Sequence, residues 1–324
     1  MANEPIKKIA VLTSGGDAPG MNAAIRAIVR AGIYNGLEVY GVEDGYRGLV
    51  EGRIKLMNRN SVSEIINRGG TMLGTARLTE FSKPEVTQIG IDQLKALGIG
   101  ALVTLGGDGT YHGALRMSRM GLNCIGIPCT IDNDIASSQY TIGFDTAVNT
   151  AVDAIDKLRD TCNSHHRCSV IEVMGRYCGD LAYAAGIASG ADIIITSETG
   201  YDEERIINFI HGTKAEKHHR LLIVITEKVT DVSALAKRIR IETGWDSRAT
   251  ILGHIQRGGN PTPFDRVLAT RLGDAAVDAL MDGKSGVCMG VFNNEIIATP
   301  ITEAFGMTKN VFRKYAIPTN RSVR

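Results

Sequence analysis

Two short acidic segments of the chain each follow an apolar run. The segment Thr130–Asp134 (TIDND) comes shortly after the apolar residues 123–127, and the segment Gly106–Thr110 (GGDGT) directly follows residues 101–105. We expect both runs to be buried strands, because they are short, apolar and bounded by turn residues. Carboxylates at such positions suit proton transfer or the binding of Mg²⁺, which prefers oxygen ligands. Open α/β sheets bind ligands at the carboxyl ends of their strands, so these turns predict a ligand site.

A glycine-rich loop follows the first predicted strand. Residues Thr13–Gly20 (TSGGDAPG) lead into a helix that begins near Met21. Glycines allow successive N–H groups to point into one concavity, and a helix N terminus adds partial positive charge, so the loop suits a phosphate group. The loop matches neither the Walker A pattern nor the GxGxxG fingerprint. A purely structural turn is the alternative interpretation.

The GGDGT turn is more specific. The carboxylate of Asp108 is suited to Mg²⁺, and Gly109 leaves room for a nucleotide to pass close to the backbone. The alternative is an Asx turn that caps the helix expected at residues 111–120. Cap and ligand roles can coexist at one helix N terminus.

Polar residues also follow three other predicted strands. Met174, Gly175 and Arg176 follow residues 169–173, Glu227 follows residues 221–226, and His254 and Arg257 follow residues 249–252. A pocket for a polar ligand requires convergent groups of this kind.

These groups need a rigid framework, and the sequence predicts one. Short β-branched runs alternate with amphipathic helical stretches, which is the pattern of a mainly parallel sheet covered by helices on both faces. The helix expected at residues 144–162 places Ala147, Ala151 and Ile155 on one stripe, and it is long enough to cross between two sheets. The predicted strands are residues 9–13, 38–42, 101–105, 124–127, 169–173, 192–196, 221–226, 249–252 and 287–291.

Composition excludes several classes of partner. The chain has 324 residues with 36 basic and 35 acidic side chains, and its net charge of +1 argues against nucleic acid or an anionic membrane as the main partner. No apolar run approaches the roughly 20 residues of a membrane span.

The six cysteines show no CxxC spacing and the N terminus has no apolar signal core, which favours reduced thiols and a cytoplasmic location. The segment 162–168 contains Cys and His residues, but no second pair stands at finger spacing, so no zinc site is expected.

We expect two closely packed domains, because the chain has only 8 prolines and no low-complexity tract that resembles a linker. The first domain is expected to comprise residues 1–142 and 254–305. The second is expected to comprise residues 143–253 and 306–324.

Five motifs together resemble one family. The segments TSGGDAPGMN (residues 13–22), GDGT (107–110), TIDND (130–134), MGRYCGD (174–180) and GHIQRGG (253–259) occur in the order and spacing of bacterial ATP-dependent 6-phosphofructokinases. GGDGT alone would also suit NAD kinases and diacylglycerol kinases, but TIDND and GHIQRGG are more restrictive. The resemblance covers essentially the whole chain. It implies two Rossmann-like three-layer α/β/α domains with mainly parallel sheets. The first expected domain binds ATP, the second binds fructose 6-phosphate, and the active site lies in the cleft between them. The resemblance also implies a homotetramer.

The resemblance also implies roles in phosphoryl transfer. Asp132 takes the proton from the sugar 1-hydroxyl as this group attacks the γ-phosphate of ATP, which agrees with a carboxylate on a rigid turn. Asp134 keeps the local charge negative, Thr130 contacts the reacting groups, and Arg77 stabilises the transferred charge. Asp108 is the expected ligand of Mg²⁺. The expected ATP contacts are Gly16, Tyr46, Arg77, Leu78, Gly107, Asp108, Gly109 and Thr110. Leu78 is expected to pack beneath the adenosine and not to recognise it specifically.

A second set of residues matches the sugar phosphate site of the family. In the family, Arg176 and Glu227 hold the sugar, and His254 and Arg257 bind its 6-phosphate. Arg176 is also one of the expected catalytic residues. Arg167 and Arg248 complete the phosphate site from an adjacent subunit. The full expected set is Thr130, Ile131, Asp132, Arg167, Met174, Gly175, Arg176, Glu227, Arg248, His254, Ile255, Gln256 and Arg257.

A third set matches an allosteric site that binds ADP or phosphoenolpyruvate. Arg26 and Arg30 lie four residues apart, and therefore on one face of the first helix. Glu216 and His218 stand where the family has lysines, so effector binding is expected to be weaker than in the family and to strengthen as His218 gains charge at low pH. The expected effector residues are Arg26, Arg30, Arg59, Glu64, Arg159, Asp192, Glu216 and His218.

Two alternative functions stay open. A pyrophosphate-dependent relative typically carries Asp at the position of Gly109 and Lys at the position of Cys129, and this chain has neither change. A catalytically silent sensor of sugar phosphate or nucleotide is the other alternative, and the presence of Asp108, Asp132 and Arg77 argues against it.

Overall fold

The structure is a computed structural model that describes residues 6–215 and 220–309. Its elements in chain order are β1 (Lys8–Thr13), α1 (Met21–Tyr34), β2 (Glu38–Val42), α2 (Gly45–Val50), β3 (Ile54–Met57), α3 (Pro84–Ala96), β4 (Ala101–Gly106), α4 (Asp108–Arg119), β5 (Asn123–Pro128), α5 (Phe144–His165), β6 (Cys168–Val173), α6 (Asp180–Ala188), β7 (Ile193–Ile195), α7 (Glu203–Ala215), β8 (Leu221–Thr226), α8 (Val232–Thr243), β9 (Ser247–Ile251), α9 (Pro263–Met281), β10 (Val287–Phe292), β11 (Glu295–Pro300) and α10 (Ile301–Ala304).

The described residues divide into two compact units. Unit 1 contains residues 6–130, 135–146 and 257–309, and unit 2 contains residues 131–134, 147–215 and 220–256. The division passes through α5 after Thr146. The breaks expected after residues 142, 253 and 305 lie three or four residues before those of the structure. Residues 131–134 were expected in the first domain but belong to unit 2. Residues 310–324 of the second expected domain lie outside the described residues.

Unit 1 is built on a seven-stranded sheet in the order β11-β10-β5-β4-β1-β2-β3. Strands β2, β1, β4, β5 and β10 are parallel, while β3 and β11 are antiparallel edge strands. The central strands are apolar on both faces because helices cover the sheet on both sides. Ala10 and Leu12 pack with residues of α3 and α4 on one face. On the other face, Gly32 of α1 lies against Ile9 and Val39.

Unit 2 is a three-layer structure around the parallel sheet β7-β8-β6-β9. Successive residues of β6 point to opposite faces, as in any strand. Val170 packs with residues of α7 and α8. Its neighbour Ile171 packs on the other face with residues of α5 and α6. Each face of the sheet therefore has its own hydrophobic core.

The predicted α/β class with mainly parallel sheets is confirmed, and the sequence missed two strands. Strands β3 and β11 lie at sheet edges, where partial exposure weakens the apolar pattern. The hairpin between β10 and β11 turns at Asn293 and Asn294, both with positive φ (48° and 68°), which is typical of a two-residue hairpin loop.

Several other boundaries also differ from the sequence prediction, and the strand expected at residues 249–252 is β9. The helix expected from residue 111 begins at Asp108, and the helix expected to end at residue 162 continues to His165. The strand expected at residues 192–196 is limited to β7. Helix ends are set by hydrogen bonds to neighbouring segments, which periodicity does not report. Within the described residues, no helix combines the length and apolar character that a membrane span needs.

Candidate functional sites

The two glycine-rich turns of unit 1 are joined by hydrogen bonds. Their strands, β1 and β4, are parallel neighbours, so both turns emerge at the same sheet edge. The Ser14 amide donates to the Leu105 carbonyl over 2.9 Å, and the Thr110 hydroxyl donates to the Ser14 carbonyl over 3.0 Å. A Cβ at Gly106 would lie 2.4 Å from that Ser14 carbonyl oxygen, so glycine is required for this close approach.

Asp108 stands at the positive end of α4. It is the first residue of the helix, and Gly107 rather than Asp108 is the N-cap. The Asx-cap interpretation is therefore wrong. The side chain is 56% exposed, and His112 Nε2 lies 3.5 Å from Asp108 Oδ2. A Cβ at Gly109 would have no other atom within 4 Å. The turn thus presents an accessible carboxylate and open space beside a helix N terminus, which suits a metal-bound phosphate.

Tyr46 supports this turn from the protein interior. Its side chain is 5% exposed, and its hydroxyl donates to the Thr110 carbonyl over 2.7 Å. Burial raises the pKa of the Tyr46 hydroxyl well above its usual value, which keeps the group a hydrogen-bond donor. The ring stacks on Phe81 with centroids 4.2 Å apart. These contacts give Tyr46 a supporting position behind the turn.

The segment that precedes Arg77 is tied to the first glycine-rich loop. The Thr13 hydroxyl donates to the Gly74 carbonyl over 2.7 Å, and the Thr75 hydroxyl donates to the Gly15 carbonyl over 2.8 Å. The buried Asn22 side chain donates to the carbonyls of residues 68 and 69 and accepts from the residue 72 amide. Arg77 itself is exposed, so its guanidinium is accessible beside this braced segment.

Two other expected ligands of unit 1 have defined surroundings. Leu78 is half-buried and packs against the core cluster that contains Tyr46 and Phe81. Arg257 lies against Gly16, because a Cβ there would be 2.0 Å from Arg257 Nη1, and this nitrogen is 3.5 Å from the Asp17 carbonyl oxygen. The guanidinium therefore stands beside the first glycine-rich loop.

The backbone that leads into the TIDND turn is held from one side. The Thr130 amide donates to the Ile142 carbonyl over 3.1 Å, and the Thr141 hydroxyl donates to the Thr130 carbonyl over 2.6 Å. Cys129 is 1% exposed and forms a parallel β-bridge with Ile142. Residues 129–130 therefore have little freedom to move away from residues 141–142.

Asp265 fixes the residues that follow Ile142. Its fully buried carboxylate accepts hydrogen bonds from the Gly143 amide, the Thr146 amide and the Thr146 hydroxyl, over 2.9, 2.9 and 2.5 Å. Burial raises the pKa of Asp265 to about 6, although these donors oppose the shift. The carboxylate thus anchors the first turn of α5 to the first turn of α9.

In unit 2, the residues around Asp132 form a tight buried turn. Asp132 is 7% exposed, and Ile131 and Asn133 are fully buried. Asn133 has a φ of 52°, and its side-chain amide donates to Asp180 Oδ2 over 2.8 Å. The turn is therefore fixed through a buried polar contact with the start of α6.

The expected sugar-binding residues of unit 2 meet at the carboxyl ends of β6, β8 and β9. The Arg176 amide donates to Glu227 Oε1 over 2.9 Å, and the Met174 amide donates to Gln256 Oε1 over 3.2 Å. The Gln256 amide group donates in turn to the Gly253 carbonyl. Gly175 has a φ of 137°. His254 and Ile255 follow in the same segment and are exposed.

Arg167 and Arg248 share one carboxylate. Arg167 Nε donates to Asp246 Oδ2 over 2.5 Å, and Arg248 Nη2 lies 3.5 Å from Asp246 Oδ1. The hydrogen bond from Arg167 lowers the pKa of Asp246, with a further contribution from the charge of Arg248. The two arginines are therefore neighbours, and Arg248 is 59% exposed.

The expected effector residues fall into three groups. Arg26 and Arg30 lie on α1, and Arg59 and Glu64 follow β3, all in unit 1. In unit 2, Arg159 pairs with Asp156 over 3.2 Å. Asp192 accepts the Leu222 amide over 2.7 Å, so it also holds the start of β8. Glu216 and His218 lie outside the described residues.

Sequence reasoning missed four residues that support the sites. They are Asn22, Asp180, Asp246 and Asp265, whose side chains hold the segments that carry the expected ligands. A signal was present for Asn22 and Asp265, because each is a polar residue in the first turn of a helix beside apolar positions. Asp180 is the last residue of the MGRYCGD motif. No local pattern indicated Asp246.

Comparison with known proteins agrees with this architecture. The Phosphofructokinase family matches residues 8–280 of the chain. The chain is 54% identical to an ATP-dependent 6-phosphofructokinase of Vibrio vulnificus over 310 residues, 95% of this chain and 96% of the relative. It is also 54% identical to an ATP-dependent 6-phosphofructokinase of Photobacterium profundum, over 95% of this chain and 97% of the relative. The chain belongs to the phosphofructokinase family.

Solved structures give the same result for the fold. The phosphofructokinase of Saccharomyces cerevisiae superposes with a TM-score of 0.87 at 35% identity, over 98% of this chain and 47% of that chain. A pyrophosphate-dependent phosphofructokinase from Marinobacter aquaeolei superposes with a TM-score of 0.84 at 21% identity, over 95% of this chain and 86% of that chain, and shares the fold. The family expected from the sequence is confirmed.

Proposed function

We propose that this chain transfers the γ-phosphoryl group of ATP to the 1-hydroxyl of fructose 6-phosphate, giving fructose 1,6-bisphosphate and ADP in glycolysis. The observation that carries this function is the joined pair of glycine-rich turns, with the exposed Asp108 at the N terminus of α4. Relatives 54% identical and named ATP-dependent 6-phosphofructokinase support it.

The nucleotide side of the reaction depends on charge. The N terminus of α4 and the glycine backbone N–H groups bind phosphate oxygens, and the accessible Asp108 carboxylate would hold Mg²⁺ together with those oxygens. When bound, the metal neutralises charge on the phosphates of ATP. Arg77 stabilises charge on the group in transfer, which a delocalised guanidinium does well. Tyr46 holds the turn that carries Thr110.

On the acceptor side, Asp132 is the general base for the sugar 1-hydroxyl. Phosphoryl transfer asks a protein mainly for alignment, charge neutralisation and a proton acceptor. The buried turn around Asp132, fixed through Asn133 and Asp180, provides an acceptor with little freedom. Asp134 keeps the local charge negative, and Thr130 orients the reacting groups.

The sugar phosphate is held by cations and one carboxylate. Arg176 and Glu227 contact the sugar, and His254 and Arg257 contact the 6-phosphate. Arg167 and Arg248 contact the same phosphate from an adjacent subunit. The proposed assembly is a homotetramer, and its proposed location is the cytoplasm. ADP or phosphoenolpyruvate acts at Arg26, Arg30, Arg59 and Arg159.

The environment of Cys129 and Gly109 favours ATP over pyrophosphate as the donor. Cys129 is 1% exposed, and it lacks the charge and the length of the lysine that a pyrophosphate-dependent relative typically carries there. Burial raises the pKa of its thiol well above the usual value, so it adds no charge. The open space at Gly109 accommodates a nucleotide.

A coupled assay for fructose 1,6-bisphosphate tests the proposed function. The purified protein is given fructose 6-phosphate and Mg²⁺ with either ATP or pyrophosphate. We expect turnover with ATP and a much lower rate with pyrophosphate. Turnover with pyrophosphate alone would establish the pyrophosphate-dependent alternative. Binding of fructose 6-phosphate without turnover on either donor would establish a silent sensor.

A further inference from the structure

Two adjacent loops in unit 2 have unusual backbone conformations. The loop after β6 contains Arg176, with a φ of 60°, and the loop after β8 contains Lys228, with a φ of 67°. Residues other than glycine disfavour this left-handed region, and such conformations persist only where surrounding contacts hold them. The contacts that hold these two loops therefore matter for the residues that the loops carry.

One contact between the loops is a backbone hydrogen bond to a carboxylate. The Arg176 amide donates to Glu227 Oε1 over 2.9 Å, and the Glu227 amide donates to the Val173 carbonyl over 2.8 Å. The bond from the Glu227 amide extends the pairing of β6 and β8 by one step, and the bond to the Glu227 carboxylate ties the loop after β6 to the loop after β8. Arg176 and Lys228 lie beyond the last hydrogen-bonded residues of β6 and β8.

A second contact joins the residues that follow. Lys228 Nζ lies 4.7 Å from the ring centroid of Tyr177, within the range of a cation–π interaction. Tyr177 is 73% exposed, so burial in a core does not explain the position of its ring. The Ser197 hydroxyl donates to the Tyr177 carbonyl over 2.9 Å, which fixes the backbone of this residue from the loop after β7.

The contact borders a small cavity. A space of about 240 Å³ is lined by Arg176, Glu227, Lys228, Tyr177 and residues of the loop at 196–201. The expected sugar ligands Arg176 and Glu227 thus share one wall with the Lys228–Tyr177 contact.

We propose that the Lys228–Tyr177 contact is a positioning device for fructose 6-phosphate, because it holds the loops of Arg176 and Glu227 in register. This inference rests on the proposed function for the identity of the ligand. Neither Lys228 nor Tyr177 needs to touch the substrate. Their effect should appear in the affinity for the sugar phosphate and should leave the nucleotide side unaffected.

Substitutions that remove the cation or the ring test this role. Lys228→Met and Tyr177→Leu should each raise the KM for fructose 6-phosphate about 2- to 5-fold, the range of an exposed cation–π contact, with the KM for ATP unchanged. The double variant should be no worse than the single variants, because both remove one contact. Lys228→Arg and Tyr177→Phe preserve the contact and should retain the native KM.

A matched control separates the contact from a general loss of positive charge. Lys237 is an exposed lysine on α8 of the same unit, and Lys237→Met makes the same chemical change. We expect the control to leave the KM for fructose 6-phosphate unchanged. Additive effects in the double variant, or an equal effect in the control, would overturn the proposal.

Hydrogen exchange tests the same inference without any substrate. The Arg176 amide should exchange faster in Lys228→Met and Tyr177→Leu than in the native protein, and at the native rate in Lys237→Met. If the native protein showed no turnover with either donor, the proposed function would be wrong. The exchange rate of the Arg176 amide would still show whether the Lys228–Tyr177 contact stabilises the loop. Unchanged exchange at Arg176 in both variants would contradict the positioning role.

Discussion

At the scale of single residues, Asp132 has little freedom because its neighbours are fixed. Ile131 and Asn133 are fully buried on either side of it, and the Asn133 amide group is bonded to Asp180. The preceding Thr130 is hydrogen-bonded to residues 141 and 142. In the proposed role of general base, an Asp132 that is already aligned would lose little entropy when the substrate binds.

We predict that Asp132→Asn lowers kcat by about 10²- to 10⁴-fold, the usual contribution of a general base. Asparagine has nearly the same shape, so the KM values for both substrates should change little. Steady-state kinetics in the coupled assay measure both parameters. Asp274→Asn makes the same change on the exposed face of α9 and should have native kinetics. Near-native turnover by Asp132→Asn would remove this residue from the role of base.

At the scale of elements, the first turn of α5 depends on a buried carboxylate. Asp265 accepts three hydrogen bonds from Gly143 and Thr146, and these residues directly follow the segment that holds Thr130. The pKa of Asp265 is raised from 3.8 to about 6, with burial as the main cause. The folded state therefore binds a proton at Asp265 more tightly than the unfolded state does.

This shift predicts a pH dependence of stability. A raised pKa adds stability in acid, fully below the ordinary value of 3.8, and the addition is lost as the pH rises through about 6. Between about pH 4.5 and 7.5, the free energy of unfolding of the native protein should fall by about 1–2 kcal/mol relative to Asp265→Asn. Urea unfolding at several pH values measures this difference.

The variant Asp160→Asn, which changes an exposed carboxylate on α5, is the control for Asp265→Asn. Its free energy of unfolding should stay parallel to that of the native protein over the same pH range. A constant offset between the native protein and Asp265→Asn at every pH would mean that the pKa of Asp265 is not raised in the folded state.

At the scale of the whole molecule, the pairing of Arg167 and Arg248 through Asp246 bears on the assembly. The shared carboxylate keeps the two guanidinium groups together on one surface of unit 2. Two adjacent guanidinium groups suit the binding of a phosphate dianion. If they serve the phosphate of a neighbouring subunit, each active site needs residues from two chains.

We predict that two inactive variants restore activity when they are mixed. Subunits with Asp132→Asn keep both arginines, and subunits with Arg167→Ala and Arg248→Ala keep Asp132. In random mixtures of the proposed tetramer, about a quarter of the sites would combine the intact halves. Turnover at low fructose 6-phosphate after subunit exchange measures this recovery. Mixtures no more active than the mean of their parents would argue that the arginines act within their own subunit.

Local patterns in the sequence determined the class of fold and the positions of the main turns. Buried parallel strands such as β1 and β4 are apolar on both faces, and their periodicity and flanking glycines are visible without a structure. The acidic turns at Asp108 and Asp132 were visible for the same reason. Edge strands β3 and β11 were not visible, because they are partly exposed and lack a clear period.

Only the tertiary structure decided how those turns are held. Tyr46 lies behind the turn at Thr110, although 64 residues separate the two in the sequence. Asn22 bonds to Arg68 across 46 residues, and Asp265 bonds to Thr146 across 119 residues. Such partners are brought together by packing of whole elements, and a local pattern does not encode which distant backbone group a buried polar side chain will meet.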